Sequence, residues 1–210
     1  MKMKNLIILD HPLIQQKMCF LRETGTDSQR FRNLLGEVGA LMVYEVTRHL
    51  PLAEREIITP MEKTTGYILA KKVTLVPILR AGLGMCDGIL NLIPQARVGH
   101  LGLYRDKKSL KPVEYYCKFP ADIDKSEVII IDPMLATGGS AVAAVDYVKK
   151  KGAKSIRFVC LVAAPEGVSL MARHYPEVPI FTAALDRCLN DHGYILPGLG
   201  DAGDRIYGTE

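Results

Sequence analysis

No run of apolar residues in this chain approaches the ~20 needed to cross a bilayer as a helix, so no membrane-spanning helix is expected. The first apolar stretch, Leu6 to Leu9, is stopped by Asp10 and is too short for a signal-peptide core. Cysteines are few and scattered, at 19, 86, 117, 160 and 188, with no Cys-x-x-Cys pair. That pattern argues against a disulfide framework or structural zinc and reads as a reducing compartment, the cytoplasm. The five histidines lack ligand spacing such as His-x-x-x-His, so each reads as a surface or packing residue. A dominant charge is also missing, because the net charge is only +4. Such a balance suits anionic small molecules and calls for no nucleic-acid or membrane partner. There is no internal repeat, no low-complexity tract, and no Gly-Lys-Ser/Thr to complete a P-loop.

What is present is a globular composition, 48% hydrophobic and 24% charged over 210 residues, enough for one domain with a sizeable core. Residues 1–50 read as mostly helical. Thr26-Asp-Ser-Gln29 resembles a capping box, and Phe31, Leu34, Leu35, Val38, Leu41, Met42 and Val46 follow at helical spacing. These helices are expected to contribute to a subunit interface. Residues 55–61 read as a short edge strand, since Pro60 cannot donate to a ladder. From Lys72 the pattern becomes strand and helix in alternation. Strands are expected at 73–79, 97–104, 114–119, 128–132, 156–162 and 179–185, and helices at 82–93, from the loop after 132 to Lys151, and at 165–174. Gly152 stands where helices stop and Pro165 where they start. The class is therefore α/β: a mostly parallel twisted sheet flanked by helices, with ligands at the C-terminal ends of the strands. Residues 186–210, rich in Gly and Asp, are expected to form a loop lobe over those ends.

The chain is organised around Val128 to Ser140. Four aliphatic residues, Val128 to Ile131, end at Asp132-Pro133, and a small-residue loop, Ala136 to Ser140, leads into a helix. A strand, a small loop and a helix N-terminus in that order make an anion site, because the first backbone N–H groups are free and the helix dipole favours negative charge. Gly138 and Gly139 let a phosphate approach, Thr137 and Ser140 add hydroxyls, and Asp132 is an acceptor for sugar hydroxyls. The combination suits a ribose 5-phosphate.

Three further stretches carry chemistry. In Pro77 to Met85, Arg80 directly follows a strand and precedes a glycine-rich turn, which suits a diphosphate. Gly82-Leu-Gly84 also looks like the start of a dinucleotide fingerprint, but the third glycine is displaced. Tyr104-Arg-Asp-Lys-Lys108 is a basic strand end able to close over an anion, although Lys107 and Lys108 taken singly read as solvated charges. Gly193 to Arg205 sets glycines around Tyr194, Ile195 and Leu199, which suggests backbone held against a flat ligand. Backbone N–H and C=O groups can match the polar edge of such a ligand, and an analogue with a donor in place of an acceptor would leave buried groups unpaired.

The loop Asp132-Pro-Met-Leu-Ala-Thr-Gly-Gly-Ser140 closely resembles the phosphoribosyl-diphosphate (PRPP) loop of the type I phosphoribosyltransferases in its uracil-specific branch, and Gly193 to Arg205 resembles that branch's base loop. The resemblance spans about Leu75 to Gly208 and implies one phosphoribosyltransferase domain, 1–210, with a uracil-binding lobe at 186–210. It implies PRPP binding by Arg80, Arg105, Asp132, Pro133, Met134, Leu135, Ala136, Thr137, Gly138, Gly139, Ser140 and Asp201. It implies uracil binding by Tyr194, Ile195, Gly200, Asp201 and Ala202, and catalytic roles for Arg80, Arg105 and Asp201. The expected reaction converts uracil and PRPP to UMP and diphosphate. Many type I members carry two adjacent acids at the loop start, whereas this chain has Pro133 second, so Mg²⁺ is expected on the substrate's diphosphate rather than on a direct protein ligand. A homo-oligomer, dimer or tetramer, is expected. A PRPP-sensing RNA-binding regulator, a transferase for another base and an inactive homologue are the alternatives. Of these, the base loop disfavours a purine or orotate, since no basic side chain except Arg205 could meet a carboxylate there.

Overall fold

The computed structural model describes residues 5–105 and 112–209. In chain order the elements are β1 (Leu6–Ile8), α1 (Pro12–Arg22), α2 (Ser28–Val46), β2 (Leu52–Ile58), β3 (Lys63–Leu69), β4 (Val73–Leu79) and α3 (Leu83–Leu92). They continue with β5 (Arg97–Val98), β6 (His100–Arg105), β7 (Pro112–Lys118), β8 (Glu127–Ile131), β9 (Met134–Leu135) and α4 (Gly139–Lys150). The last are β10 (Ser155–Ala163), α5 (Pro165–His174), β11 (Ile180–Leu185), β12 (Cys188–Leu189), β13 (Ile195–Leu196) and α6 (Ala202–Tyr207). One nine-stranded sheet runs β1-β11-β10-β8-β4-β6-β7, with β5 beside β4 and β9 beside β10. Its pairings are parallel except the β6–β7 edge. The α/β, mostly parallel expectation holds.

The strand with the unbroken β-branched run takes the middle. Every residue of β8 is buried, and each buried Val or Ile contributes about 1.5–3 kcal/mol. Period-2 alternation sends Val128 and Ile130 into a core with α4 and α5, and Ile129 and Ile131 into a second core with α1, α2 and α3. Both faces of the sheet are thereby covered, as a parallel sheet requires. The apolar face of α2 (Phe31, Leu35, Val38, Met42) is consumed inside this second core. The helical spacing of these residues requires such a buried face. Where α2 crosses α3 the backbones nearly touch, Gly36 on Gly88 and Gly39 on Met85.

Other details differ from the sequence reading. Asp27, rather than Thr26, caps α2, accepting from the Arg30 N–H at 2.8 Å, while the Thr26 hydroxyl donates to the Phe20 carbonyl at 2.6 Å. Within the segment read as helical, Leu6–Ile8 is an edge strand parallel to β11; three residues are too few to show a period. Residues 55–61 do not edge the main sheet. They belong to a separate antiparallel hairpin, β2–β3, whose turn holds Pro60, with Ile58 and Met61 exposed. Residues 186–210 contain the small β12–β13 ladder and α6. That helix was hidden because Gly203 lies inside it and its six residues are too short for a visible stripe.

Candidate active site

Asp132 leaves the end of β8, and the chain does not turn away at once. The Asp132 N–H donates to the Val159 carbonyl at 3.1 Å, and the Pro133 carbonyl accepts from Leu161 and Val162 N–H at 3.0 and 3.1 Å. Leu135 is buried, and its carbonyl accepts from Ala164 at 2.9 Å. Pro133 and Leu135 therefore pin the loop to β10, which leaves Ala136–Gly138 to arch into α4. The arch lies on the first turn of α5. A Cβ on Gly167 would stand 2.4 Å from the Ala136 carbonyl, and Gly138 adopts φ +86° with its own Cβ position 2.9 Å from the Gly167 carbonyl. Beneath the arch is a pocket of about 80 Å³ lined by Asp132, Met134, Leu135, Ala136, Thr137, Gly138, Ser140 and Ala141. The start of α4, at Gly139 and Ser140, supplies unpaired N–H groups to it.

A second pocket, of about 260 Å³, adjoins the first. Ala81, Asp132, Met134 and Ala136 form one side; Gly193, Tyr194, Ile195, Gly200, Asp201, Ala202 and Gly203 form the other. The Tyr194 side chain is half exposed. Its backbone is held by Asn190, whose Oδ1 accepts from the His192 and Tyr194 N–H groups at 3.0 and 2.9 Å. Asp201 caps α6, accepting from the Asp204 N–H at 3.0 Å.

Arg80 stands beside this pocket rather than in its lining. The loop that carries it presses backbone against β8: a Cβ on Gly82 would lie 2.4 Å from the Ile131 carbonyl. The Arg80 guanidinium lies 3.4 Å from Asp204 Oδ1 and 5.6 Å from the Tyr207 ring centre, and the Tyr207 hydroxyl donates to the Arg80 carbonyl at 3.2 Å. β6 ends at Arg105, opposite Pro112. The Arg105 side chain and Lys107, Lys108 and Lys111 lie outside the described residues. Arg205 is not among the residues lining this pocket: it donates to the Leu21, Glu23 and Leu199 carbonyls and lies over the Phe31 ring.

Several residues that support the loops around the site carry no signal in the sequence. Arg22 forms a two-pronged pair with Asp186, and Glu166 accepts from the Leu189 N–H at 3.1 Å. Asp204 and Tyr207 hold Arg80. Arg22 and Asp186 stand 164 positions apart, and no local spacing announces such a pair.

Burial, with the nearby Asp201 charge adding to it and the Met134 N–H opposing it, pushes the Asp132 carboxyl up to about 7. Its pKa in the folded chain lies above the unfolded value of about 3.9, so the folded state holds this proton more tightly. The resulting stabilisation is complete below about pH 4 and is lost as pH rises through about 7. Thermal midpoints of the ligand-free protein should show a fall between pH 4 and 7 that Asp132→Asn removes. Equal slopes in the two proteins would take Asp132 out of that titration.

Among the described residues, no three His, Cys, Asp or Glu side chains gather as a metal cluster. Two carboxylates, Asp132 and Asp201, do line one pocket. Two oxygen donors of that kind fit a hydrated Mg²⁺.

The architecture is shared with solved phosphoribosyltransferases. Adenine phosphoribosyl transferase from Trypanosoma brucei, solved with AMP, pyrophosphate and ribose-5-phosphate, superposes with a TM-score of 0.61 over 90% of this chain and 86% of its own, at 14% identity, a likeness of fold alone. The AQ2163 protein of Aquifex aeolicus matches with a TM-score of 0.92 at 39% identity, covering 96% of this chain and 97% of that one. Sheet order, helix-capped loop and crevice define a type I phosphoribosyltransferase fold. The sequence profile of the uracil phosphoribosyltransferases matches residues 8–209. The uracil phosphoribosyltransferases of Geobacillus kaustophilus and Bacillus caldolyticus are 59% and 58% identical over 209 residues, 99% of this chain and 100% of each relative. The chain belongs to the uracil phosphoribosyltransferase family.

Proposed function

We propose that this chain transfers the phosphoribosyl group of PRPP to N1 of uracil, giving UMP and diphosphate in pyrimidine salvage. The observation that carries the reading is the shared 260 Å³ pocket, where Asp132 and Ala136 face the backbone of Ile195 and Gly200–Ala202. A sugar held over the first group and a base held by the second would meet at the anomeric carbon.

The 5′-phosphate sits under Ala136–Ser140, on the free N–H groups of α4 and the Thr137 and Ser140 hydroxyls. Asp132, once ionised, accepts from the ribose hydroxyls. Bond breaking runs ahead of bond making, through an oxocarbenium-like transition state, and charge collects on the departing diphosphate. Arg80 and Arg105 offset that charge. Mg²⁺, when bound to the diphosphate, supplies further neutralisation. Backbone at Ile195 and Gly200–Ala202 matches the O2, N3–H, O4 edge and aims N1 at the sugar, and Asp201 faces both substrates. No nucleophilic side chain is called for. The protein works in the cytoplasm as a homo-oligomer, a dimer or tetramer. Among the described residues, no helix is long and apolar enough to cross a membrane.

A base panel tests the reading. Purified protein with PRPP and Mg²⁺ should release diphosphate with uracil. With cytosine, kcat/KM should fall by roughly 10⁴-fold, because a donor-for-acceptor exchange leaves buried groups unpaired. Hypoxanthine and orotate should give no release. Tight PRPP binding without release for any base would overturn transfer and favour a sensing role.

A further inference from the structure

The base loop has a support that lies outside the pocket. Arg22, the last residue of α1, donates from Nη1 to Asp186 Oδ2 at 2.8 Å and from Nη2 to Asp186 Oδ1 at 2.7 Å. Its Nη1 also donates to the Gly198 carbonyl at 2.7 Å. Asp186 Oδ2 accepts in addition from the Gly198 N–H at 2.9 Å. One ion pair thus holds both polar groups of a single residue. Gly198 can be held so only in its own conformation: φ is +64°, and a Cβ there would stand 2.2 Å from the Ile195 carbonyl. The next carbonyl, that of Leu199, accepts from Arg205 at 2.9 Å. The Asp186 side chain is 5% exposed and that of Arg22 25%, so water competes weakly for these bonds.

We propose that Arg22 and Asp186 are positioning residues for base recognition. They fix the peptide planes on either side of Gly198, and those planes set the direction of the Gly200–Ala202 backbone at the pocket wall. This inference rests on the transfer reading above and adds to it the determinant of uracil affinity. Three features support a role beyond general stability. The pair spans α1, the end of β11 and the base loop, and it makes no bond to the phosphate arch. It acts on backbone, where a single plane rotation exchanges an N–H for a C=O at the base edge. Asp186 itself is anchored to the sheet, its N–H donating to the Ala163 carbonyl at 2.8 Å, so the pair refers the loop to the same strand, β10, that pins the phosphate arch.

The test is steady-state kinetics of wild type, Arg22→Ala and Arg22→Lys, well below their unfolding midpoints, varying uracil and PRPP separately. Arg22→Ala should raise KM for uracil by about 10-fold or more, the loss expected for hydrogen bonds to a charged group, and leave KM for PRPP within about twofold. Lysine keeps the charge beside Asp186 and gives up the forked contact, so Arg22→Lys should fall between and serves if the alanine variant does not fold. An unchanged KM for uracil in a folded variant, or equal rises in both KM values, would overturn the positioning role while wild-type turnover leaves the transfer reading standing. Wild type that releases no diphosphate with uracil would instead remove the transfer reading, and this inference with it.

Discussion

Arg80→Ala should cut kcat/KM for diphosphate release by ~10²–10³-fold, the range seen when one preorganised donor to a developing anion is removed. The side chain follows β4 beside the pocket, 58% exposed, and its partners are the Asp204 carboxylate and the Tyr207 ring. Both contacts are of the surface kind, worth at most about 1 kcal/mol each. Removing the guanidinium should therefore leave the fold intact and, on the proposed mechanism, take away the positive charge that would offset the departing diphosphate. Diphosphate release read beside thermal unfolding separates the two effects. Wild-type turnover in a folded Arg80→Ala protein would remove Arg80 from the mechanism.

Gly88→Ala should damage the protein far more than its size suggests. A Cβ at Gly88 would lie 1.8 Å from the Gly36 carbonyl oxygen and 2.5 Å from its carbon, backbone atoms of the facing helix. No rotamer relieves such a clash, so α2 and α3 must separate. Overpacking of this kind costs about 3 kcal/mol or more, a fall of roughly 6 °C or more in Tm for a chain of this size. Activity should fall too, since α3 begins directly after the Arg80 loop. The facing residue behaves differently. A Cβ on Gly36 would meet only ordinary contact, 3.8 Å from the Gly88 nitrogen. Gly36→Ala should stay within about 1 kcal/mol of wild type, helped by the better helix propensity of alanine. Two alanines in one helix crossing with opposite outcomes are read by unfolding midpoints. Equal midpoints would refute the close crossing.

Much of this protein was legible in its residues because local pattern carries the information. The aliphatic run at 128–131 can only be a strand buried on both faces, and such strands alternating with helices leave a parallel sheet as the economical solution. Ala136 to Ser140 is an arch into a helix for reasons of backbone freedom alone. The bounds of β4 and α5 agree with the sequence reading, and Gly152 and Pro165 stand where helix stops and starts belong. Short elements were harder. β1 and α6 show no period, and β2 presents the same alternation whether it edges the main sheet or forms a hairpin of its own.

What the sequence by itself determined is the set of parts: a parallel α/β sheet, a small-residue arch into a helix after β8, an arginine-bearing turn after β4 and a glycine-rich loop at 193–205. Each depends on residue types within a dozen positions of one another, where sterics and hydrogen-bonding capacity act directly. Only the tertiary structure decided how the parts are held and charged. It set Arg205 on the Leu21, Glu23 and Leu199 carbonyls, paired Arg22 with Asp186, and brought Asp132 and Asp201 to one pocket. Those outcomes depend on distance and desolvation between residues remote along the chain, and a one-dimensional pattern encodes neither.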